Sequence, residues 1–167
     1  KFEKIINNIL EEGVKIVFTA AGNPKTYTET LKKESIKVAH VVSSAKFAIK
    51  CQEAGIDAVV AEGFEAGGHN GRDETTTLCL IPNVRKHIDT PLIAAGGIGL
   101  GSQMRAAMTL GADGVQIGSR FAATVEASSH QNFKNKIIEL KEGDTQLTLK
   151  ELAPVRLVKN KFFQDLE

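Results

Sequence analysis

The hydrophobic pattern of the chain alternates between two kinds of segment. Segments with apolar residues three or four positions apart, as in a helix, are followed by short and nearly continuous apolar runs, and this succession occurs five times. The junctions lie at residues 13, 35, 55, 89 and 111, and the glycines at 13, 55 and 111 suit the left-handed conformation that ends many helices. Continuous apolar strands that alternate with helices are typical of a parallel sheet covered by helices. The pattern therefore predicts an α/β fold with five parallel strands.

The repeating units differ in length at one place. Successive junctions are 22, 20, 34 and 22 residues apart, so the unit between residues 55 and 89 is longer than its neighbours by about a dozen residues. The extra residues follow the apolar run 58–61 and include the segment 62–72, which reads Glu-Gly-Phe-Glu-Ala-Gly-Gly-His-Asn-Gly-Arg. Glycines let the backbone come close to a ligand, and long loops on a regular scaffold usually carry function. We therefore expect the functional site around this segment.

Composition and charge exclude several classes of function. A chain of 167 residues with 42% apolar content is long enough for one domain with a sizeable core. The net charge of +1, without clustered basic residues, speaks against a nucleic-acid partner. We find neither an apolar run of the ~18 residues that a membrane span needs nor a signal peptide, and we expect a cytoplasmic protein. Cys51 and Cys79 fall in predicted helices and provide neither a disulfide framework nor metal-ligand spacing.

Two further glycine-rich segments follow the last two predicted strands. They are residues 95–99, Ala-Gly-Gly-Ile-Gly, and residues 118–120, Gly-Ser-Arg. Glycine amides can approach phosphate oxygens, and the N-terminus of a following helix, which we expect Ser102 to cap, adds partial positive charge. A dinucleotide-binding G-x-G-x-x-G motif is excluded because Ser102 stands where its third glycine would be. The segments predict a phosphate site, and glycines that merely turn the chain are the alternative.

His69 is the strongest candidate for catalysis. An imidazole titrates near neutrality, so a positioned histidine can take a proton from carbon or orient a substrate oxygen. This histidine lies between Gly68 and Gly71 in the longest predicted loop, although a structural role is the alternative. We expect structural roles for the three other histidines, namely His40 in a strand, His87 at the C-terminus of a helix and His130 at the start of a helix or on the surface.

Three motifs in order make the chain recognisable: residues 62–71, residues 91–98 and residues 114–121. They resemble the nitronate monooxygenase family, also called 2-nitropropane dioxygenases, whose fold and motifs are shared by the flavin-dependent enoyl-acyl-carrier-protein reductases. The resemblance extends from residues 20–24 to residues 154–160. It implies an FMN-binding (β/α)₈ TIM barrel, which usually needs about 250 residues.

Only five of the eight barrel strands can be counted in this chain, and they match the family's fourth to eighth strands. We therefore expect residues 1–140 to be the C-terminal portion of such a barrel. Residues 141–167 are expected to form a helical extension that packs on it, because Leu149, Leu152 and Val155 recur at helical spacing, with Phe162 and Phe163 beyond. An open sheet edge needs a cover, so we expect either a homo-oligomer or pairing with the missing N-terminal part.

The resemblance also implies the roles of individual residues. His69 matches the catalytic histidine of the family. Glu62 could accept hydrogen bonds from flavin or hold the loop, Gln116 is expected to point to the barrel mouth, and Arg120 could pair with phosphate or with a carboxylate. The implied FMN-binding residues are Glu62, Gly67, Gly68, Ala95, Gly96, Gly97, Gln116, Gly118, Ser119 and Arg120.

Three functions remain open at this point. The first is a nitronate monooxygenase, in which FMN and oxygen convert a nitronate to a carbonyl compound and nitrite; we rank it first because of the segment that follows His69. The second is an enoyl-acyl-carrier-protein reductase, in which NAD(P)H supplies the electrons and an enoyl thioester receives them through FMN. The third is a barrel fragment without catalytic activity that binds a phosphate-bearing ligand or a partner chain.

Overall fold

The computed structural model describes residues 2–161 of the chain. Within that range no helix combines the length and the apolar character needed to cross a membrane. The elements, in chain order, are α1 (Phe2–Glu11), β1 (Ile16–Ala20), α2 (Lys25–Lys33), β2 (Lys37–Val42), α3 (Ala45–Glu53), β3 (Ala58–Glu62), β4 (Gly68–His69), α4 (Thr77–Arg85), β5 (Leu92–Ala95), α5 (Gly101–Thr109), β6 (Gly114–Gln116), α6 (Ser119–Ala122), α7 (Gln131–Glu139), β7 (Thr145–Thr148) and β8 (Val155–Val158).

The main sheet contains five parallel strands in the order β1-β2-β3-β5-β6. Helices precede these strands, and Gly13, Gly55 and Gly111 adopt φ angles of +65°, +74° and +106° after helices α1, α3 and α5. These are the left-handed conformations expected from the sequence, and they confirm the predicted alternation. In the described part of the chain β1 and β6 are the two edges of this sheet, so the strands form an open arc.

The two faces of the arc are packed differently. The outer face meets the helices and forms the main core, which includes Val38, Val59 and Leu92 of the strands and Leu80 and Ile81 of α4. The inner face carries a smaller cluster of Ala39, Val60 and Ala95.

The inner face of β1 is exposed. Phe18 is in register with Ala39, which places it on the inner face, and it is 54% exposed; Ile16, two residues earlier on the same face, is 59% exposed. A closed barrel would bury these two side chains. The exposed apolar surface therefore lies where an open arc of a barrel should have it.

The region after residue 140 differs from the prediction of a helical extension. Residues 145–148 and 155–158 are strands, and with β4 they form an antiparallel sheet in the order β4-β8-β7. The helical spacing of Leu149, Leu152 and Val155 was misleading, because Leu149 adopts a positive φ of 53° and Pro154 follows within the same connection. The expected packing against the barrel portion is present, but it is formed by a β-hairpin. The predicted positions of Phe162 and Phe163 lie outside the described residues.

Candidate active site

The C-terminal ends of β3, β5 and β6 bring three of the predicted residues to one level. Glu62 is in register with Ala95, and Ala95 is in register with Gln116. Since Ala95 belongs to the inner cluster, Glu62 and Gln116 lie on the inner face as well. Partial burial raises the pKa of the Glu62 carboxyl. The ends of barrel strands are where active sites of this fold lie, so these three residues form the floor of the candidate site.

His69 lies in the short strand β4 rather than in an irregular loop. Its backbone is in register with Val155 of β8, and Gly68 is in register with Arg156. The next residue is also held, because the backbone N–H of Asn70 donates to Pro154 O at 2.8 Å. The Asn70 side chain donates from Nδ2 to Ala66 O at 2.9 Å and to Gly68 O at 3.1 Å. The backbone is therefore fixed on both sides of an imidazole that is itself exposed.

The C-terminal hairpin, β7 and β8 with their connection, holds the whole segment 64–74. Arg156 Nε donates to Phe64 O at 3.1 Å, and its guanidinium lies 5.2 Å from the centre of the Phe64 ring. Further along, Arg72 Nη2 donates to Leu152 O at 2.8 Å, and Lys150 Nζ lies 2.6 Å from Glu74 Oε1. Sequence reasoning missed this arrangement, since its sole signal was the match of residues 154–160 to the family.

A second set of contacts, also missed from the sequence, fixes the start of the same segment. The Glu65 carboxylate accepts from the backbone N–H of Thr77 at 3.0 and 3.1 Å, and Thr77 Oγ1 lies 2.8 Å from Gly96 O. A Cβ on Gly63 would lie 2.1 Å from Thr77 Oγ1, and one on Gly96 would lie 2.7 Å from Gly63 O. These glycines are therefore needed for the close packing of three chain segments beneath the site.

The two predicted phosphate segments lie side by side. Arg120 Nη1 donates to Gly99 O at 3.1 Å, so this guanidinium joins the two segments through a backbone carbonyl instead of binding a carboxylate. Within residues 2–161 the backbone N–H groups of Gly97, Gly118 and Ser119 have no protein acceptor. A Cβ on Gly118 would meet no atom within 4 Å, so no side chain obstructs these amides there. Free amides on open backbone fit a phosphate group such as that of FMN.

The predicted helix cap beside these segments is wrong. Helix α5 begins at Gly101 after Leu100, so Ser102 lies inside its first turn. Gln103 takes the capping role, because its Oε1 accepts from the backbone N–H groups of Gly99 at 2.8 Å and Leu100 at 2.9 Å. The longer side chain of Gln103, in the first turn of the helix, reaches back to these two N–H groups, whereas the short side chain of Ser102 does not.

A cavity of about 280 Å³ connects part of the site to the helix layer. Glu62 and His69 line it together, as do Asn70 and Gly71. Gly67 and Gly68 are exposed beside it, with open space where a Cβ would be, and the segments 96–99 and 118–120 do not line it. The structure thus brings the predicted catalytic histidine and one predicted cofactor residue to one cavity and leaves the phosphate segments outside it.

His40 lines the same cavity, which the sequence did not indicate. It is a residue of β2, as predicted, and is 4% exposed. Its Nδ1 lies 2.7 Å from Thr19 Oγ1, and burial lowers the pKa of the imidazole. The other two histidines have the expected local positions, His130 as the N-cap of α7 and His87 just after α4. In the described range no group of three His, Cys, Asp or Glu residues could hold a metal ion.

Solved structures with similar folds support the architecture. FabK from Thermotoga maritima is 41% identical, with a TM-score of 0.92, and the alignment covers 98% of this chain and 52% of that protein. A nitroalkane oxidase from Streptomyces ansochromogenes is 28% identical, with a TM-score of 0.85, over 98% of this chain and 50% of that protein. The prediction of an α/β fold of the (β/α)₈ type, of which this chain holds five strands, is confirmed.

Sequence relatives agree with the structural ones. A protein named probable nitronate monooxygenase from Staphylococcus saprophyticus is 36% identical over 99% of this chain and 50% of its own length. A Bacillus subtilis protein of the same name is 38% identical over 88% of this chain and 45% of its own length. The chain therefore spans about half the length of these relatives. The family model for nitronate monooxygenase matches residues 1–167, and the chain belongs to the nitronate monooxygenase family.

Proposed function

We propose that the protein to which this chain belongs is an FMN-dependent oxidoreductase that oxidises alkyl nitronates with O₂. The observation that carries the proposal is the placement of His69, which β8 holds by its backbone next to a cavity that Glu62 also lines. The unsatisfied amides of the segments after β5 and β6 support the same proposal. Membership of a family of oxidoreductases gives the class of reaction.

The chain's own residues suggest how FMN would be held. The phosphate would be bound by the free N–H groups of Gly97, Gly118 and Ser119, with Arg120 close by. The ring system would lie above Glu62, Ala95 and Gln116, whose side chains are on the inner face. When it is bound, FMN supplies the transfer of electrons from the substrate to oxygen.

His69 is proposed to handle the proton of the reaction. Its imidazole can remove the α-proton of a neutral nitroalkane, which gives the nitronate, or donate a hydrogen bond to an oxygen of a nitronate that is already ionised. Because the backbone of His69 is paired with that of Val155, the imidazole is attached to a fixed backbone and not to an irregular loop. Burial raises the pKa of Glu62, whose carboxyl group offers hydrogen-bonding oxygens on the floor of the site.

A second candidate is an NAD(P)H-dependent enoyl-acyl-carrier-protein reductase. FabK from Thermotoga maritima, an enoyl-acyl-carrier-protein reductase, is more similar to this chain than the nitroalkane oxidase is, at 41% against 28% identity. The inner-face residues and the amides that we assign to FMN would serve both reactions, because both use the same cofactor. The shared features therefore do not decide between the two substrates.

The decisive experiment measures both reactions with one preparation of the full-length protein. The visible spectrum and the released chromophore identify any flavin. Nitrite formation from a nitronate under air, without activity towards NAD(P)H and an enoyl thioester, is the expected result. The reverse result would select the reductase, and a protein that takes up no FMN and turns over neither substrate would leave the third function, binding without catalysis. The His69→Asn variant should lose turnover but keep FMN, with His87→Asn as a surface control.

We also propose that the inner face of β1 is covered by the remaining part of the barrel. Ile16 and Phe18 are more than half exposed there, and the chain spans about half the length of its relatives. Light scattering on residues 1–167 alone and mixed with the other half of the full-length protein tests this. A one-to-one complex supports the proposal. A dimer of residues 1–167 that does not bind the added half would show that a second copy covers β1.

A further inference from the structure

His40 lines the cavity that His69 also lines, and one of its ring nitrogens is not used by the protein. Its neighbours along β2, Val38 and Val42, belong to the core under the helices, so the ring lies on the outer side of the sheet. Nδ1 is occupied by Thr19 Oγ1 at 2.7 Å. Nε2 has no hydrogen-bond partner among residues 2–161. In that range the side-chain polar atom that is both fully buried and unpaired is Asn70 Oδ1. Nε2 of His40 is therefore not fully enclosed by protein atoms. Because Nδ1 is occupied, Nε2 is the ring nitrogen of His40 that remains for a ligand in the cavity that this residue lines.

The chemistry of this nitrogen favours a neutral partner. The ring is 4% exposed, and burial lowers the pKa of the imidazole, so it is uncharged near neutrality. A neutral ring offers Nε2 either as a donor or as an acceptor, depending on which nitrogen carries the proton. A hydroxyl group can form a hydrogen bond with Nε2 in either case, because it both donates and accepts. A carboxylate or phosphate would gain less at this position, because an uncharged ring supplies one hydrogen bond and no opposite charge.

Much of the lining of the cavity that His40 and His69 share is apolar and suits a short apolar chain. Pro24, Val42 and Phe47 line the cavity there, together with Cys51, whose thiol stays protonated because burial raises its pKa to about 11. The volume is about 280 Å³. At roughly 30 Å³ for a water-sized group, it holds on the order of nine such groups. A ligand that reaches from the rim to His40 is therefore a small molecule with a few carbons.

We propose that this cavity is the binding subsite for the far end of the substrate, and that His40 Nε2 hydrogen-bonds a terminal hydroxyl while the reacting group lies at His69. The inference rests on the proposed function and deepens it, since it names the substrate class as straight-chain nitronates of a few carbons with a neutral hydroxyl terminus. His40 is then a residue that determines specificity and takes no part in the proton transfer.

Two nitronates that differ at one group test the subsite. The nitronates of 4-nitrobutan-1-ol and 1-nitropentane have equal numbers of non-hydrogen atoms, and a hydroxyl in the first replaces a methyl in the second. We expect the full-length protein to prefer the hydroxylated compound in kcat/KM by roughly threefold to tenfold, the usual net value of one hydrogen bond. The preference should appear in KM, because the contact is far from the reacting carbon. His40→Phe should abolish it, His40→Gln should keep part of it, and the surface control His87→Phe should leave it unchanged.

A binding measurement separates the subsite from the reaction. In full-length His69→Ala protein with ¹⁵N-labelled histidine, the hydroxylated nitronate should shift the Nε2 resonance of His40 saturably, and 1-nitropentane nitronate should not. Equal kcat/KM values for the two compounds would overturn the inference, and so would a preference that persists in His40→Phe. An Nε2 resonance that does not shift would also overturn it, because the cavity would then hold water only. A saturable shift in His69→Ala protein, together with no turnover of either nitronate by the protein that retains His69, would overturn the proposed reaction and leave the subsite standing.

Discussion

Replacing Arg156 by methionine should loosen the segment that carries His69 without unfolding the protein. The guanidinium donates to Phe64 O at 3.1 Å and lies 5.2 Å from the Phe64 ring centre. A hydrogen bond from a charged donor contributes about 1.5–3 kcal/mol and an exposed cation–π contact about 0.5–1 kcal/mol. Arg156 is half-buried, so we take the lower ends and expect a loss of about 2 kcal/mol in the local stability of residues 64–70. Methionine keeps the packing of the side-chain stem.

Amide hydrogen exchange followed by mass spectrometry measures this loss directly. A loss of about 2 kcal/mol corresponds to roughly 30-fold faster exchange, because about 1.4 kcal/mol is a factor of ten. The increase should be confined to peptides that cover residues 62–72 and the paired strand β8, while peptides from β3 and β5 keep their rates. Arg156→Lys should give a smaller increase, since a lysine keeps the charge but lacks the planar fork. Arg105→Met, on the exposed surface of α5, is the matched control.

Two results would refute this reasoning. Unchanged exchange in residues 62–72 would show that the hairpin does not hold the segment through Arg156. A uniform increase over the whole chain would show that Arg156 contributes to global stability and has no specific relation to His69.

Three further predictions concern a phosphate segment, the glycine packing beneath the site and the floor of the site. Gly118→Leu should weaken FMN binding at least tenfold in a fluorescence titration while the melting temperature stays unchanged, since its Cβ meets open space and its φ is ordinary; equal affinity would disprove the phosphate assignment. Gly63→Ala should cost about 1–3 kcal/mol in chemical denaturation, because its Cβ would lie 2.1 Å from a threonine oxygen, whereas Gly114→Ala, with nothing within 4 Å, serves as the control. The raised pKa of Glu62 means that the folded state holds the carboxyl proton more tightly than the unfolded state does, so this group lowers the stability of the fold as the pH rises above the ordinary glutamate pKa of 4.5. Glu62→Gln should remove that part of the decline in melting temperature with pH. The control Glu126→Gln should not.

The α/β alternation and the candidate motifs could be predicted because they depend on neighbours in the chain. A continuous apolar run such as 58–61 reports burial on both faces of a strand, and a glycine such as Gly55 reports a local left-handed turn. In these cases the information lies within a few residues, so the pattern alone was sufficient.

The hairpin after residue 140 and the surroundings of His69 were decided by tertiary structure. A pattern of Leu149, Leu152 and Val155 fits a helix as well as two short strands, and pairing of β8 with β4 selected the strands. The contacts of Arg156 with Phe64, and of Glu65 with Thr77, join residues whose partners no local pattern specifies.

His40 shows the same division most clearly. Its position in a strand followed from the sequence, whereas its access to a cavity depended on the placement of the β1–α2 connection and of α3 on either side. The amino-acid sequence by itself determined the fold class, the family and the residue types available for chemistry, because local periodicity and short motifs carry that information. Which side chains share one cavity was decided by the packing of elements far apart in the chain, because burial and hydrogen-bond geometry depend on contacts that form only in the folded protein.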